Sequence, residues 1–303
     1  MDVLCVGHAA WDISVLVPEY PAENSKCEIQ RMLECGGGPA ANAAYLLSRW
    51  GARCALAAAL GADSYAERIL AEFAAAGTDT SLVRRDPEGA TPVSVILVNQ
   101  SNGSRTIINR KQSGRAAPMG LSPLPAWDPP PQVLLFDGHE LEASLEAMRA
   151  FPQAKTILDA GSLREGTRVL AARVDYLVSS ERFARQLSGL PELDSRQRQQ
   201  EAVAALHRHN GRAVVITLGE RGLVYGTGDD CRHLPAFPVQ TVDTTAAGDF
   251  FHGAFAFGLI AGLSWPETLR LAAGAAAISV TRPGGRTSIP PLAEVRELLG
   301  NAR

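Results

Sequence analysis

The order of patterns along this chain predicts an α/β fold, with a mainly parallel central sheet flanked by helices and a small second β-sheet beside it. Two observations carry that expectation. Short β-rich runs alternate with amphipathic stretches along most of the length, the pattern of strand and crossover helix repeated around a parallel sheet. Two further segments break the rhythm by alternating apolar and polar residues between turn signals, as half-exposed antiparallel strands do.

From the N-terminus, "VLCVG" is a continuous apolar run, which a strand buried on both faces requires. "WDISVLVPEYP" and "CEIQRMLECGGG" alternate instead, with Pro21 between them, and begin the small sheet. A helix over Ala40 to Trp50, the strand "CALAAAL" and a helix over Ser64 to Ala76 restore the main rhythm. "TPVSVILVNQSNGSRTIIN" supplies a hairpin around Asn102-Gly103, a pair suited to a tight turn. The small sheet is thus drawn from about residues 11–35 and 91–111, and it is expected to cover a site as a lid or to pair with a second subunit.

After the Pro-rich surface connector "SPLPAWDPPPQ" come four more continuous strands, "VLLFDG", "TILDAG", "YLVSS" and "AVVITLG". Helices are expected over Leu141 to Ala150, Arg182 to Leu187, Ser195 to His209, Gly248 to Ala261 and Trp265 to Val280. No internal repeat is present, and residues 1–303 read as one domain.

At 303 residues and 46% hydrophobic content the chain can bury a sizeable core. A formal net charge of -3, with no cationic cluster longer than Arg84-Arg85 or Arg110-Lys111, lacks the electrostatic footprint of nucleic-acid binding. "MDVLCVGHAAWD" has no basic leader, and no apolar run reaches the roughly 18 residues of a membrane helix. The expectation is a cytoplasmic protein with no membrane partner. Cys5, Cys27, Cys35, Cys54 and Cys231 are odd in number and lack C-x-x-C spacing, so they read as reduced, mostly buried thiols.

The chemistry concentrates in glycine-rich turns. In "TVDTTAAGDFFHGAFAFGL" a strand-like "FPVQTV" precedes and an apolar helix follows, so Ala246, Ala247 and Gly248 fall where backbone N–H groups point out of a helix N-terminus. Such a turn binds anions, because small side chains let the backbone approach and the helix dipole favours negative charge. Asp249 would stand beside a bound phosphate, placed to take a proton from an attacking hydroxyl, or would serve only to stabilise the helix start. In "ECGGGPAANAAYLLSRWG" the glycines admit close approach of a ligand, and Asn42 offers both a donor and an acceptor to hydroxyl groups; a plain turn before a helix is the other reading. Asp12 is a lone acid near the first strand, able to accept two hydroxyl hydrogen bonds, or an exposed turn acid. "ITLGERGLVYG" reads as strand, turn with Gly219 and Gly222, and strand. No G-x-x-x-x-G-K-[ST] occurs, so a nucleotide is not held by a Walker-type loop, and His207 and His209 fall on different helix faces, which excludes a paired metal site there.

Together these residues resemble the PfkB or ribokinase family of carbohydrate kinases over nearly the whole chain. "GGGPAANAAYLLSRWG" is similar to the family's N-terminal signature and "DTTAAGDFFHGAF" to its C-terminal one, while "LGADSYAERILAEFAAAGTDTSLV", "GSRTIIN", "ITLGERGLVYG" and "SVTRPGGRTSIP" follow in the family's order. The resemblance implies a ribokinase-like three-layer sandwich with a β lid, ATP along the C-terminal half and sugar beneath the lid. It implies Asp249 as the base and Ala246, Ala247 and Gly248 as the anion hole. Asp12, Gly37, Gly38 and Asn42 would contact sugar, and Ser180, Thr217, Gly219, Gly222 and Gly248 would border the nucleotide. Asp243, Thr245 and Ser288, with carbonyls of "TRPGG", would hold a monovalent cation, K+, while Mg2+ would accompany ATP. A homodimer through the lid is implied as well.

The chain departs from the family where the N-x-x-E motif that organises magnesium falls on "SERF", giving Ser180 and Phe183, with Glu181 as a possible substitute. Where ribokinase has an Asn two before the sugar-binding Asp, Ala10 stands here, which argues against ribose. The overall look is that of the branch containing sulfofructose kinase and ketohexokinase. Lys26, Asn109 and Lys111 lie on or beside the lid strands, where they could meet a polar or anionic substituent or stay solvated. The "FDGHE" segment offers Asp137, His139 and Glu140 but no arginine for a sulfonate clamp. The activity so implied is transfer of the γ-phosphate of ATP to a hydroxymethyl group of a small sugar, a ketose of fructose or sulfofructose type. The alternatives are a nucleoside kinase, left open by Trp11 and Phe136, and a catalytically silent sugar-binding regulator.

Overall fold

The computed structural model describes residues 1–110 and 119–301, so Lys111 lies outside the described residues. The chain opens with β1 (Val3–Val6), β2 (Ala10–Val17), β3 (Met32–Gly37), α1 (Pro39–Arg49), β4 (Cys54–Ala57), β5 (Ala59–Gly61) and α2 (Ser64–Ala76). It continues through β6 (Arg84–Asp86), β7 (Val93–Asn99), β8 (Arg105–Arg110), β9 (Val133–Phe136), α3 (Leu141–Ala150), β10 (Lys155–Ala160), α4 (Glu165–Ala171) and β11 (Tyr176–Ser180). The remainder is α5 (Glu181–Ser188), α6 (Arg196–Asn210), β12 (Val214–Thr217), β13 (Leu223–Thr227), β14 (Asp230–Leu234), α7 (Ala247–Ile260), α8 (Trp265–Ser279) and α9 (Leu292–Asn301).

An eight-stranded sheet in the order β14-β13-β12-β11-β10-β9-β1-β4 forms the centre. Its pairs from β4 to β12 are parallel, and β13 and β14 add an antiparallel edge. The continuous apolar runs are explained by burial on both faces. Val3, Cys5, Leu135 and Ile157 join one core with α1, α7 and α8, while Leu4, Val6, Leu134 and Phe136 join the other with α3, α5 and α6. This is the expected three-layer α/β arrangement.

Most helix ends are closed locally. Asp63 accepts from the Ala66 N–H at 3.0 Å to start α2, Ser195 caps α6, and Gly77 and Gly211 end those helices in the left-handed conformation. α7, like α1 and α3, starts without a side-chain cap: Ala246 precedes it at φ 61, and the Ala247 N–H reaches only the Thr244 carbonyl, at 3.4 Å. Gly253 lets α7 approach α1 closely, since a Cβ there would lie 3.1 Å from the Ala43 carbonyl oxygen. That approach places the first turn of α7 beside Asn42.

The second sheet has four strands in the order β3-β2-β7-β8. Its outer pairs are antiparallel as expected, but β2 and β7 run parallel. They are separated by the whole α1 to β6 excursion, so no hairpin constrains their direction. Residues 18–31 form no strand and are exposed, which shortens the first lid segment to β2 and β3. "CALAAAL" is divided: β4 joins the central sheet, whereas β5 pairs with β6 in a separate two-stranded piece. "FPVQTV" forms no strand, and α4 and α9 were not anticipated. No helix among the described residues is long and apolar enough to cross a membrane.

Candidate active site

The strands β1 and β9 to β12 deliver their C-terminal ends to one edge, the usual place for a ligand in an open parallel sheet. At that edge the Asn42 side-chain amide donates to Asp249 Oδ2 at 2.7 Å, joining the N-terminal glycine turn to the C-terminal one. Both residues line a cavity of about 220 Å³. Its roof is the small sheet: Asp12, Ser94 and Asn109 lie side by side across β2, β7 and β8, with Ile96 and Ile107 next to them. Thr245, Ala246 and Gly38 complete the floor.

The glycines have definite steric reasons. A Cβ on Gly37 would fall 2.0 Å from Asp12, and one on Gly38, at φ 98, would fall 2.4 Å from the His8 carbonyl oxygen. Asp137 is a structural hub, accepting from the N–H groups of His8, Ala40 and His139 at 2.7, 3.2 and 2.9 Å. It holds the loop after β1, the start of α1 and the end of β9 together.

Burial raises the pKa of the site carboxyls, making them weaker acids. Asp12 is 6% exposed, and desolvation pushes it up to about 6 against the opposing pull of Ser94 and Arg286. Asp249 is raised too, by desolvation, with the Asn42 amide, His252 and Arg105 working the other way. Enclosure by protein thereby makes the Asp249 carboxylate a stronger base than a free one.

Ser180 and Thr217, expected beside the nucleotide, are direct neighbours at the ends of β11 and β12, with Gly219 and Gly222 in the turn that follows. Gly222 has φ 84, and a Cβ there would meet the Leu234 carbonyl oxygen at 2.1 Å, so the turn requires glycine. Ser180 caps α5 by accepting from the Phe183 N–H, and Glu181 pairs with Arg221 at 2.5 Å. Glu181 is therefore held by an arginine. Its proposed part as a free substitute for the missing magnesium acid is not supported by its surroundings. Among the described residues no cluster of three metal-ligating side chains occurs; Mg2+ needs none when it arrives on phosphates, because it binds through one or two carboxylates and keeps several waters.

Asp243 is fully buried and accepts from the Thr245 N–H and hydroxyl at 2.8 and 2.6 Å and from the Gly284 N–H at 2.8 Å. Ser288, also buried, donates to the Gly285 carbonyl at 2.8 Å. The "TRPGG" loop is thus closed onto the turn before α7, and the oxygen-only donor set suits a hard cation.

Some placements differ from expectation. Lys26 sits exposed in the irregular stretch after β2, away from the cavity lining, because that stretch never enters the sheet. Trp11 and Phe136 are buried core residues that do not line the cavity. Sequence reasoning missed Arg105, which lines the cavity and donates to Thr244 Oγ1 at 2.5 Å, tying the β7–β8 hairpin to the turn before α7. It also missed His8, whose ring lines the cavity stacked 4.5 Å from that of His139. Arg164, at the start of α4, approaches His139 Nε2 to 2.6 Å but does not itself line the cavity. His252, one turn beyond Asp249, lies 2.6 Å from the Gly248 carbonyl oxygen and 3.3 Å from buried Asp159, whose carboxyl burial raises to about 7. The five thiols are free; Cys5, Cys35 and Cys54 are buried, Cys231 is half-buried and Cys27 is exposed.

The chain belongs to the pfkB family of carbohydrate kinases, whose family model matches residues 1–292. It is a phosphotransferase of the kind that acts on hydroxyl groups of sugars. It is similar to a ribokinase of Haemophilus influenzae, 29% identical over 297 residues and covering 96% of each chain. The ketohexokinase of Mus musculus is 29% identical over 290 residues, covering 89% of this chain and 92% of its own. Among solved structures, Arabidopsis thaliana ribokinase complexed with ribose and ATP matches with a TM-score of 0.82 at 26% identity, covering 98% of both chains.

Proposed function

We propose that this protein is an ATP-dependent kinase that phosphorylates a hydroxymethyl group of a small ketose. The observation that carries the reading is the juxtaposition of Asp249, Asn42 and Asp12 around one cavity of about 220 Å³. Asp12 accepts hydrogen bonds from sugar hydroxyls beneath the lid, and Asp249 takes the proton of the attacking hydroxyl. The N–H groups at the start of α7 stabilise charge on the transferred phosphoryl group. Phosphoryl transfer through a loose transition state asks mainly for positioning and charge stabilisation, which these residues supply. Ser180, Thr217, Gly219 and Gly222 border the nucleotide. Asp243, Thr245 and the 281–288 loop would hold K+, which supplies positive charge next to the anion hole, and Mg2+ neutralises ATP.

A fructose-type ketose is favoured by the likeness to ketohexokinase and by Ala10, which leaves an apolar wall where ribokinase has an amide. A sulfonated ketose is a second reading, favoured by the cationic Arg105 and the donors His8 and His139 on the cavity wall. A nucleoside fits less well, since neither Trp11 nor Phe136 is available for base stacking.

The outer face of the small sheet supports a homodimer. Ile13, Val15, Val95 and Leu97 are half-buried there, and Ile108 and Met32 are 59% and 52% exposed. A second copy presenting the same apolar face would cover them.

The test is ATP consumption with Mg2+ and K+ against ketoses, sulfonated ketoses, aldoses and nucleosides, with Asp249→Asn beside the native protein. The expected result is turnover on one ketose class that falls by at least about a thousandfold in the mutant while ATP binding persists. Near-native turnover in Asp249→Asn removes the base assignment, and activity confined to nucleosides overturns the sugar reading.

A further inference from the structure

Arg286, in the loop after "TRPGG", is only 6% exposed, an unusual place for a permanent cation. Its guanidinium is enclosed on two sides by the rings of Tyr45 and Phe73, whose centroids lie 4.9 and 4.3 Å away. Nη1 donates to Glu72 at 2.6 Å, and Glu72 in turn accepts from the Gly36 N–H. Nε donates to Asn42 Oδ1 at 3.2 Å, and Nη2 is buried with no hydrogen-bond partner among the described residues. A buried ion pair is a weak source of stability, because desolvation offsets most of the attraction. Its retention at this point needs another explanation.

The chemistry of the contact supplies one. A guanidinium has donors only, and a carboxylate is an acceptor only. Asn42 lies between the two, so its carbonyl oxygen must face Arg286 and its NH2 must face Asp249. We infer that Arg286 is a positioning residue that locks the Asn42 amide in the one orientation able to hold the Asp249 carboxylate toward the acceptor hydroxyl. The inference rests on the reading of Asp249 as the base. It makes Asn42 a donor toward the cavity, correcting the two-way role expected from its side chain alone. It also links α1, α2, β3 and the 281–288 loop to the reacting end of the site. With Arg286 removed, Asn42 can turn its oxygen toward Asp249, and two acceptors then face each other.

The experiment combines a double-mutant cycle with a crystal structure. Lysine keeps a charge for Glu72 but cannot span Glu72 and Asn42 as the planar fork does. On the sugar that the native enzyme turns over, Arg286→Lys is expected to lower kcat about tenfold or more. In an Asn42→Ala background the same substitution is expected to change kcat by less than about twofold, because residues acting through one contact are non-additive. If the two effects simply multiply, Arg286 does not act through Asn42 and the inference fails. The crystal structure of Arg286→Lys is expected to show the Asn42 to Asp249 hydrogen bond lengthened or lost; its retention overturns the inference. That readout needs no sugar, so silence of the native protein on every acceptor sinks the kinase reading without touching the orientation of Asn42. Should Arg286→Lys fail to fold, Arg286→Met with Glu72→Leu replaces the pair by apolar groups of similar size. The folded double variant is expected to lose turnover as Arg286→Lys would, and native turnover in it refutes the proposal.

Discussion

Asp12 shows how one side chain's surroundings decide its chemistry. Burial under the lid raises its carboxyl to about 6, within reach of ordinary assay conditions. Only the ionised form accepts hydrogen bonds at both oxygens, so sugar KM is expected to rise as pH falls through about 6, where the group takes up its proton. Asp12→Asn should bind sugar at least about tenfold more weakly at neutral pH and lose that acid dependence. A pH series of KM on the two proteins checks this, and an unchanged profile in the mutant would assign the titration elsewhere. Asp249 is raised in the same direction, so its protonation is expected to appear as an acid limb in kcat.

Local elements place these groups, and their turns are sterically exacting. The turn between β12 and β13 closes only because Gly222 adopts φ 84 against the Leu234 carbonyl. Gly222→Ala is expected to destabilise the protein by about 1–3 kcal/mol and to weaken ATP binding, since the strained turn must open. Urea denaturation and calorimetric ATP titration measure both effects, and unaltered stability would mean that the hairpin accommodates a methyl group. The start of α7 makes the complementary point. At α2, α5 and α6 an Asp or Ser side chain occupies one of the helix's first N–H groups, whereas Ala246 has nothing to offer those of α7. An uncapped helix start is what the proposed anion hole requires.

For the molecule as a whole, the small sheet has two faces with different tasks. Its inner face carries Asp12, Ser94, Arg105 and Asn109 over the cavity, and its outer face is apolar and partly exposed. If the outer faces of two copies meet, Ile108→Asp should convert a dimer to a monomer in light scattering at micromolar concentration with little change in melting temperature. A native protein that is already monomeric there would discount the pairing. The contact between Arg105 and Thr244 ties the same sheet to the turn before α7, so on the proposed reading lid and phosphate site would be mechanically joined.

The sequence by itself determined the parallel sheet, most helices and the two glycine turns, because these depend on periodicity and on backbone demands that nearest neighbours impose. Asp249 was visible for the same reason, standing at a recognisable turn before an apolar helix. Tertiary structure decided what pattern could not reach. Asn42 meets Asp249 across 207 residues and Arg286 across 244, contacts that arise only when α1, α7 and the 281–288 loop pack together. The parallel pairing of β2 with β7 was equally hidden, because no turn joins them. So were the raised carboxyls of Asp12 and Asp249, since desolvation is a property of enclosure by the assembled protein and not of the residues alongside.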